Sequence, residues 1–400
     1  MRVIKDSVIY LIGELSAKSI PFLMLPYLTR KLGPDGFGEL SYYLTWLALF
    51  AIFIGLSQEG AVTRYFYFYG TKGLNNIVNA GYILNIVTTI VVLVGCLFFK
   101  AEIIAYIVIA TAFQSLLNVQ LALRQCQKRP IKYVIIQFLL SILTVVFTVV
   151  ALEYFSDNLV KYRILSIVFA NISTFFIASF LLREGINNGR LTFDRLKIGM
   201  AYVASYGFPL ILHQSSFFIK GQLDRLFIYE KYSKADLGIY SAGVQIAAIL
   251  PMILMALNKA VVPYYYQNLK SGVLNVLKLK KYSRISLLFC ILPAFVAYII
   301  PVKVYTWVLS DQYSESKYFV VTYLLGYGLN LTYLILVNYF FYFGKNKFIS
   351  LCSLISSLLY VGFLIYFSNI SLKYIPFALF LSNVSLVILF YIFMEKQNAD

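Results

Sequence analysis

The stretch YGFPLILHQSSFFIKGQLDRLFI, residues 206–228, is apolar enough to cross a membrane and still carries His213, Lys220, Asp224 and Arg225. An α-helix turns about 100° per residue, so Lys220 falls roughly 20° behind His213 around the axis and Asp224 roughly 20° ahead of it. Gln214, Ser216 and Phe217 widen the same stripe. Lys220 and Asp224 are spaced i, i+4, which suits an ion pair. Charge in hydrocarbon is costly, so the stripe is expected to face a bundle interior or a watery cavity. Asp224 and Arg225 also admit a plainer reading, as snorkelling residues that mark the membrane surface.

The rest of the chain has the same character. Its 400 residues are 60% hydrophobic and 13% charged, with 34 Tyr and 34 Phe, a composition foreign to soluble domains. A helical span needs about 20 mostly apolar residues. Twelve such spans are expected, at 8–29, 40–64, 76–99, 102–123, 133–152, 163–182, 202–223, 237–262, 284–301, 319–343, 348–367 and 374–394. The first is read as a retained span, because it carries Glu14 and Lys18 and meets no small-residue cleavage site. The connections 183–201 and 263–283 are each long enough for a short interfacial helix. Twenty of the 34 Lys and Arg fall on the side that holds both termini and eleven on the other, which places both termini in the cytoplasm. The net charge of +17 is thereby an orientation signal; spread over many loops, it gives no nucleic-acid face.

Laid on itself with a shift of 200 residues, the chain sets Phe37-Gly38 on Leu237-Gly238, Ser41 on Ser241, and Gln58-Glu59 on Asn258-Lys259. The hydropathy blocks stay in step. The expected fold is therefore all-α: a polytopic membrane protein of twelve transmembrane helices, in two six-helix lobes (1–200 and 201–400) related by a parallel pseudo-twofold repeat. Glu14 and Lys18 are spaced to neutralise each other, and Pro21, Pro26 and Pro251 are expected to bend their spans. Glu59 against Lys259 offers an acid in one half and a base in the other, either a gate or two unrelated interfacial residues. Gln114, Asn118, Leu121 and Gln125 form a stripe on span 4, and Gln137, Ser141, Thr144 and Thr148 one on span 5, where helix packing is the default role. Arg124, Lys128, Arg129 and Lys132 close span 4, facing lipid headgroups or a phosphorylated substrate; Arg124, nearest the span, is the candidate ligand among them.

The motifs of several chemistries are missing. There is no GxxxxGK[ST] loop for nucleotide phosphates, and His213 is the single histidine, so a His-rich metal site or a His-based triad has no material. Cys96, Cys126, Cys290 and Cys352 show no ligand-like spacing and read as core residues. No metal and no cofactor are expected, and no enzyme activity. A gradient-driven transporter is the leading class.

The runs LPYLTRKLGPDGFGELSYYLTW (residues 25–46) and GLSQEGAVTRYF (residues 55–66), with FPLILHQSSFFIKGQLDRLFIYEKYSKADLGIYSAGVQIA (residues 208–247), resemble the bacterial polysaccharide-repeat flippases of the Wzx type. The motifs are soft and are shared with lipid II flippases and multidrug exporters of the same superfamily. The resemblance implies an inner-membrane flippase that carries an undecaprenyl-diphosphate-linked oligosaccharide from the cytoplasmic to the periplasmic leaflet by alternating access. The polymer served would be O-antigen (lipopolysaccharide), capsule or a related surface polysaccharide. Coupling to a proton or sodium ion, contact with membrane lipids, and association with a polysaccharide polymerase and chain-length regulator are implied with it. On that reading Lys18, Arg124, Lys220 and Lys259 bind the diphosphate. Gln58, Gln114, Asn118, Gln214 and Asn258 line the sugar path. Glu14, Glu59, His213, Asp224 and Arg225 couple or gate. A multidrug cation exporter is the alternative within the superfamily, and a polysaccharide polymerase or non-transporting scaffold the alternative outside it. A cationic drug favours an acidic cavity, and a polymerase a large outer loop; neither is evident in the sequence.

Overall fold

The computed structural model describes Gly13 and residues 19–20, 22–180 and 192–396, and every α or β element among them is helical. In chain order the α-helices are α1 Leu25–Gly55, α2 Gln58–Tyr69, α3 Leu74–Phe98, α4 Glu102–Cys126, α5 Pro130–Tyr154, α6 Leu159–Phe180, α7 Phe193–Lys231, α8 Lys234–Ala247, α9 Ile249–Lys270, α10 Val276–Ile299, α11 Val302–Leu309, α12 Ser316–Tyr342, α13 Asn346–Ser368 and α14 Ile375–Lys396. Among the described residues, ten stretches are long and apolar enough to cross a membrane. They coincide with ten of the twelve expected spans. The expected span 8–29 falls largely outside the described residues, as do Glu14, Lys18 and Pro21. The expected span 202–223 lies within α7, which is helical throughout but less apolar than the ten.

Large apolar side chains cover the outsides of these helices. On α3, Ile86, Val87, Ile90, Val91, Val94 and Leu97 are exposed at helical spacing, and α10 presents Leu288, Phe289, Ile291, Leu292 and Phe295. Such faces are stable only where the solvent is itself apolar.

The contacts divide the chain into two compact units. One comprises Glu39–Phe218 with the described residues up to Leu25; the other comprises Pro26–Gly38 and the described residues from Ile219 onward. In the first unit α4 is the central helix, packing against α2, α3, α5 and α6. In the second α12 plays that part, against α8, α9, α10 and α14. Each unit is thus built around the fourth span of its half.

The second span of each half is broken in the middle. Leu56 and Ser57 both take positive φ (45° and 49°), which ends α1 and starts α2. The counterpart is the break at Ala248 between α8 and α9. Pro251 follows three residues later and lacks the N–H that would bond the Ala247 carbonyl, which accounts for the break there. Gly33 (φ 64°) with Pro34 interrupts α1 once more.

Residues 26–38 lie against the second unit. The Thr29 hydroxyl donates to the Leu309 carbonyl at 2.8 Å, Arg30 donates to the Trp307 carbonyl, and Phe37 meets Tyr313 edge-on. Gly38 and Gly238 cross there. A Cβ on Gly38 would sit 1.9 Å from the Lys234 carbonyl oxygen, and a Cβ on Gly238 would sit 1.9 Å from that of Pro34. The contact is reciprocal under the 200-residue shift, position 34 answering 234 and 38 answering 238, which is the pattern of a twofold relation.

The described parts of the two long connections belong to neighbouring helices: residues 193–201 are the opening turns of α7, 263–270 continue α9 and 276–283 open α10, so 263–283 holds no separate interfacial helix, while residues 183–191 lie outside the described residues. A helix propagates cheaply past the apolar boundary once nucleated. A short extra helix does occur, in α11.

Candidate functional site

The charged stripe of α7 divides between two environments. His213 belongs to the first unit, is exposed, and meets the Phe217 ring edge-on at 5.0 Å. Lys220 and Asp224 belong to the second unit and do not pair with each other, contrary to their spacing. Asp224 is 3% exposed, and its carboxylate accepts from the Tyr323 hydroxyl at 2.7 Å and from the Tyr240 hydroxyl. Two phenols on α8 and α12 thus claim the acid that the i, i+4 rule assigns to lysine. Arg225 donates to Gln222 on its own helix.

Lys220 is half-buried, and its ammonium donates to Ser356 Oγ at 3.0 Å on α13 and to Asn383 Oδ1 at 2.8 Å on α14. Both acceptors are held in place by hydrogen bonds of their own. Asn383 donates its amide to the Gly326 carbonyl at 3.1 Å, which turns its oxygen to the lysine, and the Ser356 hydroxyl donates to the Ser382 carbonyl at 2.6 Å. The ammonium is solvated by neutral oxygens, and among the described residues no carboxylate pairs with it. Further along the second unit, Asn338 donates to Asn258 Oδ1 at 2.7 Å, and the neighbouring Lys259 is exposed.

In the first unit the expected polar residues separate into interior and open positions. Gln58 is 1% exposed and donates to the Val78 carbonyl at 3.2 Å, in a place left by Gly81, where a Cβ would sit 1.8 Å from its amide nitrogen. Gln214 donates to Ser57 Oγ at 2.8 Å, tying α7 to the break in the second span. Glu59 is half-buried. Arg124 is 3% exposed and reaches toward the Ala178 carbonyl at 3.5 Å, so it sits inside the unit. Asn118 and Gln125 are exposed and Gln114 half-buried, while Leu121 of the same stripe is buried. Of the span 5 stripe, Thr144 and Thr148 bond within α5, and Thr148 also accepts from Arg163 at 2.8 Å.

Sequence reasoning missed Asn383 and the two tyrosines. The signal for Asn383 was its isolation in the apolar run 376–390. Tyr240 and Tyr323 gave none, being two among 34. Arg163 lies on α6 and reaches α5 through Thr148.

Residues 3–269 match the family described as polysaccharide biosynthesis protein. The chain is 46% identical over 396 residues to the Lsg locus putative protein 1 of Haemophilus influenzae, covering 99% of each. It is 46% identical over 362 residues to an uncharacterized membrane protein of the same organism, covering 90% of this chain and 89% of that one. Among solved structures, the fold is similar to an inward-facing multidrug resistance MATE family transporter of the MOP superfamily (TM-score 0.70, 15% identity, 97% of this chain and 98% of that one). It is also similar to a MOP superfamily transporter from Pyrococcus furiosus, for which reverse polarity of the binding pocket is held to suggest a different function (TM-score 0.63, 16% identity, 99% of this chain and 95% of that one). The fold is thus the one found in these membrane transporters.

Proposed function

Because the chain belongs to the polysaccharide biosynthesis protein family, we propose that it flips undecaprenyl-diphosphate-linked oligosaccharide units from the cytoplasmic to the periplasmic leaflet of the inner membrane, both termini being cytoplasmic. The observation that carries the reading is the Lys220 ammonium, held in the second unit by Ser356 and Asn383 and not by an acid. An ammonium held by neutral oxygens in an apolar surround has a place for an anion, and a diphosphate is the anion this family's chemistry presents. Lys220, with exposed Lys259, is assigned to the diphosphate; Gln114 and Asn118, on α4, to the sugars. Lys18 and Glu14 stay assigned to cation and coupling roles on the sequence alone.

The fold itself does not select the substrate, since the similar transporters differ in what they are described as handling. The cation exporter reading is the weaker, because the one deeply buried acid described above, Asp224, is already occupied by two phenols. The test is a deletion strain. A lipid-linked oligosaccharide should accumulate in the cytoplasmic leaflet and the surface polymer should be lost, both reversed by restoring the gene. Normal polymer, in a strain with no second flippase, would overturn the proposal.

A further inference from the structure

The last turns of α2 and the first turns of α7 carry an arginine set among aromatic rings. Arg64 is exposed; its guanidinium donates to the Tyr202 hydroxyl at 3.1 Å and lies 5.5 Å from the Phe68 ring centre and 5.9 Å from that of Tyr202. Tyr65 and Tyr69 both meet Tyr202 edge-on, at 5.6 and 6.2 Å, and Tyr65 stands against Tyr69 at 5.1 Å. The shelf is rigid at its base. Tyr65 and Tyr202 pack on the buried cluster of Ala61, Val62, Leu74 and Val203, and the Tyr65 hydroxyl is tied to the Lys72 carbonyl at 3.1 Å. Its outer rim is open, with Phe68 70% and Tyr69 53% exposed.

This arrangement does more than anchor a helix at a membrane surface. An aromatic belt residue needs a wet polar tip and nothing else. Here an exposed guanidinium lies by two rings, with one of its five N–H groups engaged by Tyr202 and no carboxylate paired with it among the described residues, so the rest of the fork is open to a ligand. A planar fork recognises phosphate in two-point fashion, and ring faces offer apolar contact to the C–H faces of a sugar.

The geometry points to a capture site on the first unit for the headgroup of a glycosylated prenyl diphosphate, with Arg64 on the phosphate and Tyr69 and Phe68 against the sugar. The proposal rests on the flippase reading and adds the place of first contact, at the end of α2 that the charge bias puts in the cytoplasm.

The full chain in phosphatidylcholine nanodiscs is titrated with farnesyl-diphosphate-linked N-acetylglucosamine. The wild type should bind, and Arg64→Ala should weaken binding about tenfold, equivalent to ~1.4 kcal/mol. Arg64→Lys should recover only part of it, because an ammonium lacks the fork, and Phe68→Ala, at an exposed ring, should weaken binding by a smaller factor. Unchanged binding in Arg64→Ala, with loss in Lys220→Met, would overturn the capture site and leave the flippase reading standing. Displacement of the probe by phosphatidylglycerol as effectively as by unlabelled probe would make the shelf a lipid-headgroup contact and also overturn it. No binding by the wild type would count against the flippase reading itself.

Discussion

Substituting alanine at Gly38 tests the crossing on which the second unit is built. The new methyl would lie 1.9 Å from the Lys234 carbonyl oxygen and 2.8 Å from the Gly238 nitrogen, both backbone atoms that no rotamer change can move aside. Relief requires the two segments to separate by about 1.5 Å, to reach ordinary carbon–oxygen contact. Overpacking of that kind costs about 1–3 kcal/mol, and a backbone clash belongs at the upper end. For a unit of this size that is a fall in melting temperature on the order of 6–12 °C. Gly238→Ala should cost about as much, since it meets the Pro34 oxygen at the same 1.9 Å. The double variant is the sharper part. Once the segments have moved apart for one methyl, the second finds much of its room already made, so the double cost should fall well below the sum of the singles. Thermal unfolding of the purified protein in detergent, at one fixed scan rate, measures all three. Melting temperatures unchanged in both single variants would refute the crossing, and additive losses would refute its reciprocity.

The remaining predictions concern the site. Lys220→Met should abolish transport while the protein still reaches the membrane, read as accumulated lipid-linked oligosaccharide in a complemented deletion strain; full transport would remove the cation from the mechanism. Asp224→Ala should destabilise the second unit by about 2 kcal/mol, since the Tyr240 and Tyr323 hydroxyls, which also bond to each other, lose their shared acceptor and one buried donor is left unsatisfied. Asp224→Asn, which keeps a carbonyl oxygen for one of them, should cost less in the same melting experiment. Gln214→Ala should cost roughly 1 kcal/mol through the lost bond to Ser57, whose backbone is already in the left-handed region.

Much of this architecture was legible in the chain. The apolar runs mark the spans because a bilayer leaves the backbone few alternatives, and ten of the twelve expected spans coincide with helical stretches long and apolar enough to cross. The 200-residue shift that aligns Gly38 with Gly238 is the shift under which they touch. The partners of individual charges were not legible. The i, i+4 spacing joins Lys220 to Asp224 only while each lacks a better neighbour, and in the folded chain Asn383 and Ser356 take the lysine while Tyr240 and Tyr323 take the aspartate. Those partners lie between 16 and 163 residues away, beyond the reach of any local rule. The association of residues 26–38 with the second unit was hidden for the same reason, since it rests on contacts with Leu309 and Tyr313 some 280 residues later. Gln58 and Arg124 looked like cavity residues because they are polar within apolar runs. Each spends that polarity inside the first unit, on the carbonyl of Val78 or toward that of Ala178.

The measurement closest to the central claim is transbilayer movement of a glycosylated prenyl diphosphate in proteoliposomes containing the purified chain, followed by the accessibility of its sugar to an external lectin. The wild type should move the probe between leaflets, and Lys220→Met, reconstituted to the same density, should not. Equal movement by wild type, variant and protein-free vesicles, from a wild type that retains its fold, would contradict the account.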